Sequence, residues 1–212
     1  MNHLESLANP VINHATLTSI LGSYARPNDK ISELIAKHQL VPLKRGLYLI
    51  ADSQQSSMEL IANHLHGPSY VSRHWALSHY GLLIEHVSVV TSMCLGRSRQ
   101  VETVRGSFHY QAIPASYYSV GIESIQQDKI AFMMAAPEKA LADLLVCTRK
   151  LRIQSSSAMM SYLEDDLRLD SGNLAKLDAS SFYDFAQQGY KSNMLVYLGK
   201  AIERLAELRI SE

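Results

Sequence analysis

The sequence predicts an α+β protein: a small N-terminal winged helix-turn-helix over residues 1–52, joined to a larger domain over 53–212 with a mainly antiparallel sheet and C-terminal helices. Three observations predict it. Two short amphipathic segments run straight into a basic-tipped hairpin before residue 51. A series of β-rich runs separated by glycine and proline follows, from about residue 87 to 135. From Pro137 onward the apolar spacing becomes helical. Order and periodicity of this kind separate fold classes before any single residue is considered.

The chain is long enough to bury a substantial core, with 212 residues of which 47% are hydrophobic. Its 20 basic and 20 acidic residues cancel, so any nucleic-acid binding has to come from a local surface rather than from net charge. Residues 1–50 carry Arg26, Lys30, Lys37, Lys44 and Arg45 against Glu5, Asp29 and Glu33, a local excess of two positive charges. No apolar run reaches the roughly 18 residues that a membrane span needs. The start, MNHLESLANP, lacks the basic-then-apolar order of a secretion signal. The expectation is a cytoplasmic protein without membrane contact. Cys94 and Cys147 stand alone in apolar stretches, as reduced thiols packed as small hydrophobes do.

Each element has its own signal. Leu17, Ile20 and Leu21 share one face of a segment from Ala15 that stops at Gly22. In PNDKISELIAKH, Pro27 suits a first helical position, and Ile31, Leu34, Ile35 and His38 form one stripe. LVPLKRGLYLI reads as strand, turn, strand with Lys44-Arg45-Gly46 at the tip, where glycine allows a positive φ. ADSQQSS, at 51 to 57, serves as linker and as the cap of the helix MELIANHL. Beyond it we expect a helix from Ser72 to Leu82, strands at VSVVTSMCL, QVETV, SFHYQAI and KIAFMMA, and helices over 155–163, 180–187 and 192–208.

In a winged helix the second helix enters the major groove and the hairpin reaches neighbouring phosphates. That assigns DNA contact to Asn28, Lys30, Ser32 and Lys37 on the helix and to Lys44 and Arg45 on the hairpin. Asp29 and Glu33 oppose phosphate, so affinity per copy should be modest and two copies should bind together. Arg97, Arg99 and Arg105 form a second basic group; alternation would put Arg97 and Arg99 on one sheet face, as a further nucleic-acid surface or a solvated edge.

Signals for chemistry are weak. His64 with His66 and His74 with His79 have spacings unsuited to a helical metal site. Glu164, Asp165 and Asp166 are consecutive and would point apart on a helix. No Glu-x-Lys, phosphate-binding loop, dinucleotide fingerprint or nucleophile elbow occurs. The expectation is a non-enzyme with no cofactor and no metal.

Four stretches, ending in SELIAKHQL or consisting of VPLKRGLYLI, GPSYVSRHWALSHYGLL and APEKALADLL, occur in an order that resembles the antitoxin of AbiE-type abortive-infection, or type IV toxin-antitoxin, systems. They span residues from about 16 to 146. The resemblance implies a winged helix that represses its own operon at inverted repeats in double-stranded DNA, and a C-terminal domain that counteracts a nucleotidyltransferase toxin without a stable complex. It puts DNA contact on the same helix and hairpin residues, with Arg97, Arg99 and Arg105 as a weaker addition. One departure is His38-Gln39 where such proteins carry a glycine after the helix; another is the low net charge. The competing readings are a protein- or RNA-binding module whose winged helix does not bind DNA, and an enzyme hidden in the second domain.

Overall fold

The computed structural model describes residues 9–51 and 57–210, so the expected boundary between residues 52 and 53 lies outside the described residues. The N-terminal part runs β1 (Val11–Asn13), α1 (His14–Ile20), α2 (Pro27–Ala36), β2 (Leu40–Lys44), β3 (Leu47–Ile50). Its three strands pair antiparallel in the order β1-β3-β2. The Asn13 side chain accepts from Thr16 N–H and caps α1. Pro27 opens α2, as the sequence predicts. Arg45-Gly46 make the hairpin turn, with Gly46 at φ 76°.

Helix α2 ends without a glycine. His38 itself takes the left-handed conformation at φ 56°. Its N–H donates to Ile35 O and the Gln39 N–H to Leu34 O, both at 2.9 Å, a Schellman closure built on histidine.

The second part continues with α3 (Met58–Leu65), β4 (Ser69–Val71), α4 (Arg73–His79), β5 (Val89–Cys94), β6 (Arg99–Thr103), β7 (Gly106–Ala112), α5 (Ala115–Tyr118), β8 (Ile122–Gln127), β9 (Ile130–Ala135) and α6 (Pro137–Cys147). It closes with α7 (Ser156–Ser161), a π-helical turn (Tyr162–Asp166), α8 (Ser171–Leu174), α9 (Ala179–Gln187) and α10 (Ser192–Ile210). Ser57 caps α3, accepting from Leu60 N–H, as the linker reading expects.

The sheet order is β6-β7-β5-β4-β9-β8. Three of its five pairings are antiparallel, but the sheet is mixed, because β5–β7 and β4–β9 pair parallel. The reason for the first lies in the β6–β7 hairpin. Its second strand buries Phe108 and Tyr110 and takes the inner place beside β5, while β6, with Arg99, Gln100 and Glu102 exposed, forms the edge. Charged edges of this kind resist further strand pairing. Strands β1 and β4 have only three residues each, and β8 is mostly polar and half-exposed, so none carried a readable alternation.

Tyr70 lies opposite Met93 and Tyr110 opposite Ser92, so the two tyrosines point to opposite sheet faces. On one face Tyr110 Oη donates to Ala62 O of α3 at 2.7 Å. On the other Tyr70 Oη donates to Asp143 of α6 at 2.9 Å.

Alternation along the small sheet gives it two apolar faces. Ile12, Leu40 and Ile50 pack with Leu17, Leu21, Ile31 and Leu34 of its own helices. Val11, Leu43, Leu47 and Leu49 join the large core of the second part. The hairpin sheet is therefore a shared wall between two cores.

Leu49 is 1% exposed on the large-core side. Leu49→Ala should lower unfolding free energy by about 2–5 kcal/mol in urea titration; a change under about 0.5 kcal/mol would contradict this packing. His38 is exposed, so His38→Gly should keep every side-chain contact of the core and raise the urea midpoint slightly by relieving a left-handed non-glycine residue.

Candidate nucleic-acid interface

Helix α2 buries Ile31 and Leu34 and turns Asn28, Asp29, Ser32 and Lys37 outward, with Lys30 half-buried. The charges of this surface are paired among themselves. Arg26 meets Asp29 at 2.9 Å. Glu33 takes Lys37 at 2.6 Å on one oxygen and Lys30 at 2.9 Å on the other. Bonds from Lys37 first, and then from Lys30, hold the Glu33 carboxyl down at about 2. The same bond to Glu33 raises Lys30, whose ammonium also lies 5.2 Å from the centre of the Tyr24 ring. Ser32 Oγ donates back to Asn28 O at 3.1 Å.

The hairpin residues separate. Lys44 Nζ donates to Leu65 O at the end of α3, so this ammonium is directed toward the second part. Burial, and secondly the charge of Arg99, push Lys44 below its usual range. His64 is lowered too, by burial and then by Lys44. Arg45, in the turn, is exposed.

The second basic group does not gather. Arg97 precedes β6 in a loop, so the expected strand alternation with Arg99 does not apply to it. Arg99 begins β6 and Arg105 sits in the turn after it. At about 3.3 Å per residue the strand alone separates those two by more than about 13 Å. Across the chain the charge of Arg99 acts on Lys44, a proximity that spacing could not reveal.

Glu164, Asp165 and Asp166 are all exposed in the π-helical turn. Among the described residues no three His, Cys, Asp or Glu side chains could hold a metal ion together. Nor is any described helix long and apolar enough to cross a membrane. Cys94 is buried and Cys147 half-buried, both free; burial, then the charge of Asp143, push the Cys147 thiol up to about 11.

Sequence reading passed over a buried polar network. Lys139 and Asp143, on α6, are both 0% exposed. Lys139 Nζ lies 3.3 Å from Asp143 Oδ1 and donates to Tyr117 O at 2.8 Å. Asp143 Oδ2 accepts from Tyr70 Oη at 2.9 Å and from Ser72 Oγ at 2.6 Å. Burial holds Lys139 down at about 8 against the upward pull of Asp143, and raises Asp143 against the downward pull of Lys139 and its hydroxyl donors. Gly121, at φ 69°, lets Phe185 and Lys139 close over the site, since a Cβ there would come within 2.9 Å of both. The available signal was a lysine and an aspartate four apart among the alanines and leucines that follow Glu138 in PEKALADLL.

No model of a known protein family matches the sequence, and no curated protein does. Among solved structures the fold is similar to that of the RV2827C protein from Mycobacterium tuberculosis, with a TM-score of 0.51 at 14% identity, over 95% of this chain and 79% of that one. At that identity the likeness is one of fold.

Lys139→Met should cost about 3–5 kcal/mol of stability, because it leaves Asp143 buried without its counter-charge. A carboxyl raised further in the fold stabilises below its unfolded value and loses that contribution as pH rises. The deficit against the parent chain should therefore shrink between pH 8 and pH 5 in urea titrations, and Lys139→Met with Asp143→Leu should recover most of it. Equal deficits at the two pH values would contradict the charge argument.

Proposed function

We propose that the chain is a DNA-binding autorepressor and antitoxin of the type IV, abortive-infection class, which counteracts a nucleotidyltransferase toxin. The observation that carries the reading is the path β1-α1-α2-β2-β3 with sheet order β1-β3-β2. That path supports a winged-helix reading, with α2 as recognition helix and the β2–β3 hairpin as wing. The likeness to AbiE-type antitoxins in the order of four sequence blocks supplies the rest.

In this reading Asn28 and Ser32 approach base edges from the exposed face of α2, Lys37 and Arg45 meet phosphates, and Lys44 fixes the wing. Lys30 and Lys37 exchange Glu33 for phosphate oxygens on binding, so affinity for one half-site is modest. Two copies on an inverted repeat compensate for that. The toxin is a functional antagonist and no stable complex with it is expected. The protein works in the cytoplasm, without cofactor, metal or catalysis.

A second reading has a specific observation in its favour. The charges of α2 already satisfy one another and Lys44 is engaged within the chain, which suits a protein- or RNA-binding module whose winged helix does not bind DNA.

Anisotropy titration against the DNA upstream of its own gene, with unrelated DNA as control, separates the two. Specific binding should weaken about 10- to 1,000-fold between about 50 and 200 mM salt, a few phosphate contacts per protomer being released. Lys37→Ala with Arg45→Ala should flatten the logarithmic salt slope by about 2 per protomer. Glu33→Gln, which frees both lysines, should tighten binding to any duplex. No binding, together with a stoichiometric co-purifying protein or RNA, would replace the first reading by the second.

A further inference from the structure

On the sheet edge of the second part, a polar cleft is lined by Arg73 and Arg149, with Arg99 at its rim. Arg73 begins α4, Arg99 and Gln100 come from β6, His109 and Gln111 from β7, and Arg149 from the turn after α6. The cleft has a volume of about 380 Å³ and no carboxylate among the residues lining it. Gln100 and His109 are direct cross-strand partners, so both project from one face of the β6–β7 hairpin.

Arg73 is the least ordinary member. Its backbone lies in the left-handed region, at φ 58°, which residues other than glycine seldom occupy. Its Nε is buried without a hydrogen-bond partner. Backbone strain and an unmatched guanidinium donor at the same residue, facing a cleft, are features that collect where a ligand completes the structure. Every other surface cation discussed above has an acidic or carbonyl partner or stands alone at a loop, whereas Arg73 and Arg149 line this space with nothing of opposite charge beside them, and Arg99, opposite Tyr110, belongs to the other sheet face and borders it at the rim.

We propose that this cleft binds a phosphorylated ligand of nucleotide size through its phosphate groups. Guanidinium forks match phosphate oxygens two at a time. Arg73 and Arg149 together balance a phosphate dianion better than a single carboxylate. The volume falls within the roughly 300–1,000 Å³ of small-molecule sites. Gln100, Gln111 and His109 supply donors and acceptors for the uncharged remainder of such a molecule, either a sugar hydroxyl or a base edge. The phosphates belong to a free nucleotide or to a nucleic-acid strand end; the chemistry of recognition is the same. This site does not depend on the winged-helix reading, whose cations lie on α2 and the β2–β3 turn.

Isothermal titration calorimetry of the full chain at low salt, with inorganic pyrophosphate, ADP and a 5′-phosphorylated single-stranded oligonucleotide as probes, tests the proposal. Pyrophosphate or ADP should bind saturably at one site per chain. Arg149→Gln, a change at an exposed turn, should weaken that binding at least tenfold, and Arg73→Gln should do the same with an unchanged circular dichroism spectrum. Arg45→Gln should leave it as it is, which keeps failure here distinct from failure of the DNA reading. Binding of the oligonucleotide alone, lost in Arg149→Gln, would uphold the phosphate site and assign its source to nucleic acid. Absence of saturable binding by all three probes, or wild-type affinity in Arg149→Gln, would overturn it.

Discussion

Lys139 and Asp143 stand four residues apart on α6 with no solvent on either, and three other elements are tied to them. Through Asp143 the helix grips Tyr70 in the middle of β4 and Ser72 at the entry to α4; through Lys139 it grips the Tyr117 carbonyl of α5. Two unlike charges in an apolar interior are costly unless each is matched; here Asp143 Oδ2 takes two hydroxyls while Oδ1 faces Lys139 at 3.3 Å without a hydrogen bond. That requirement fixes the height of α6 over the sheet and the path of the chain on either side of β4. Apolar packing alone would permit small slides that these bonds do not.

Two of the sequence blocks singled out above converge here. GPSYVSRHWALSHYGLL supplies Tyr70 and Ser72, and APEKALADLL supplies Lys139 and Asp143. Arg73 follows Ser72 directly and enters α4 through a left-handed residue. The same short stretch thus anchors the core and sets one wall of the arginine cleft.

The small N-terminal sheet depends on this frame in turn. Its outer face has no core of its own and closes only against the second part, with Lys44 bonded to the end of α3 alongside. Orientation of α2 is then a property of the whole chain. Charge pairing on α2 has a related consequence, because a lysine already bound to Glu33 must exchange one partner for another, and the exchange discriminates more than it attracts.

Local order was readable because it rests on spacing. Pro27 at a helix start, Ile31 and Leu34 on one stripe, Gly46 in a hairpin turn and the apolar run of β5 each act over a few residues, and the sequence alone determined them. It also determined that Lys44 and Arg45 sit at a hairpin tip. Only the tertiary structure decided that Lys44 bonds the end of α3, that the charge of Arg99 and not Arg97 acts on it, that β7 runs parallel to β5, and that a lysine and an aspartate lie in the core. Those outcomes depend on which surfaces meet across more than fifty residues of chain, as for the charge of Arg99 on Lys44 and the bond of Tyr70 to Asp143. Burial energy selects among such meetings by total apolar area and by complete matching of buried polar groups, and neither quantity is carried by the spacing of neighbours in sequence.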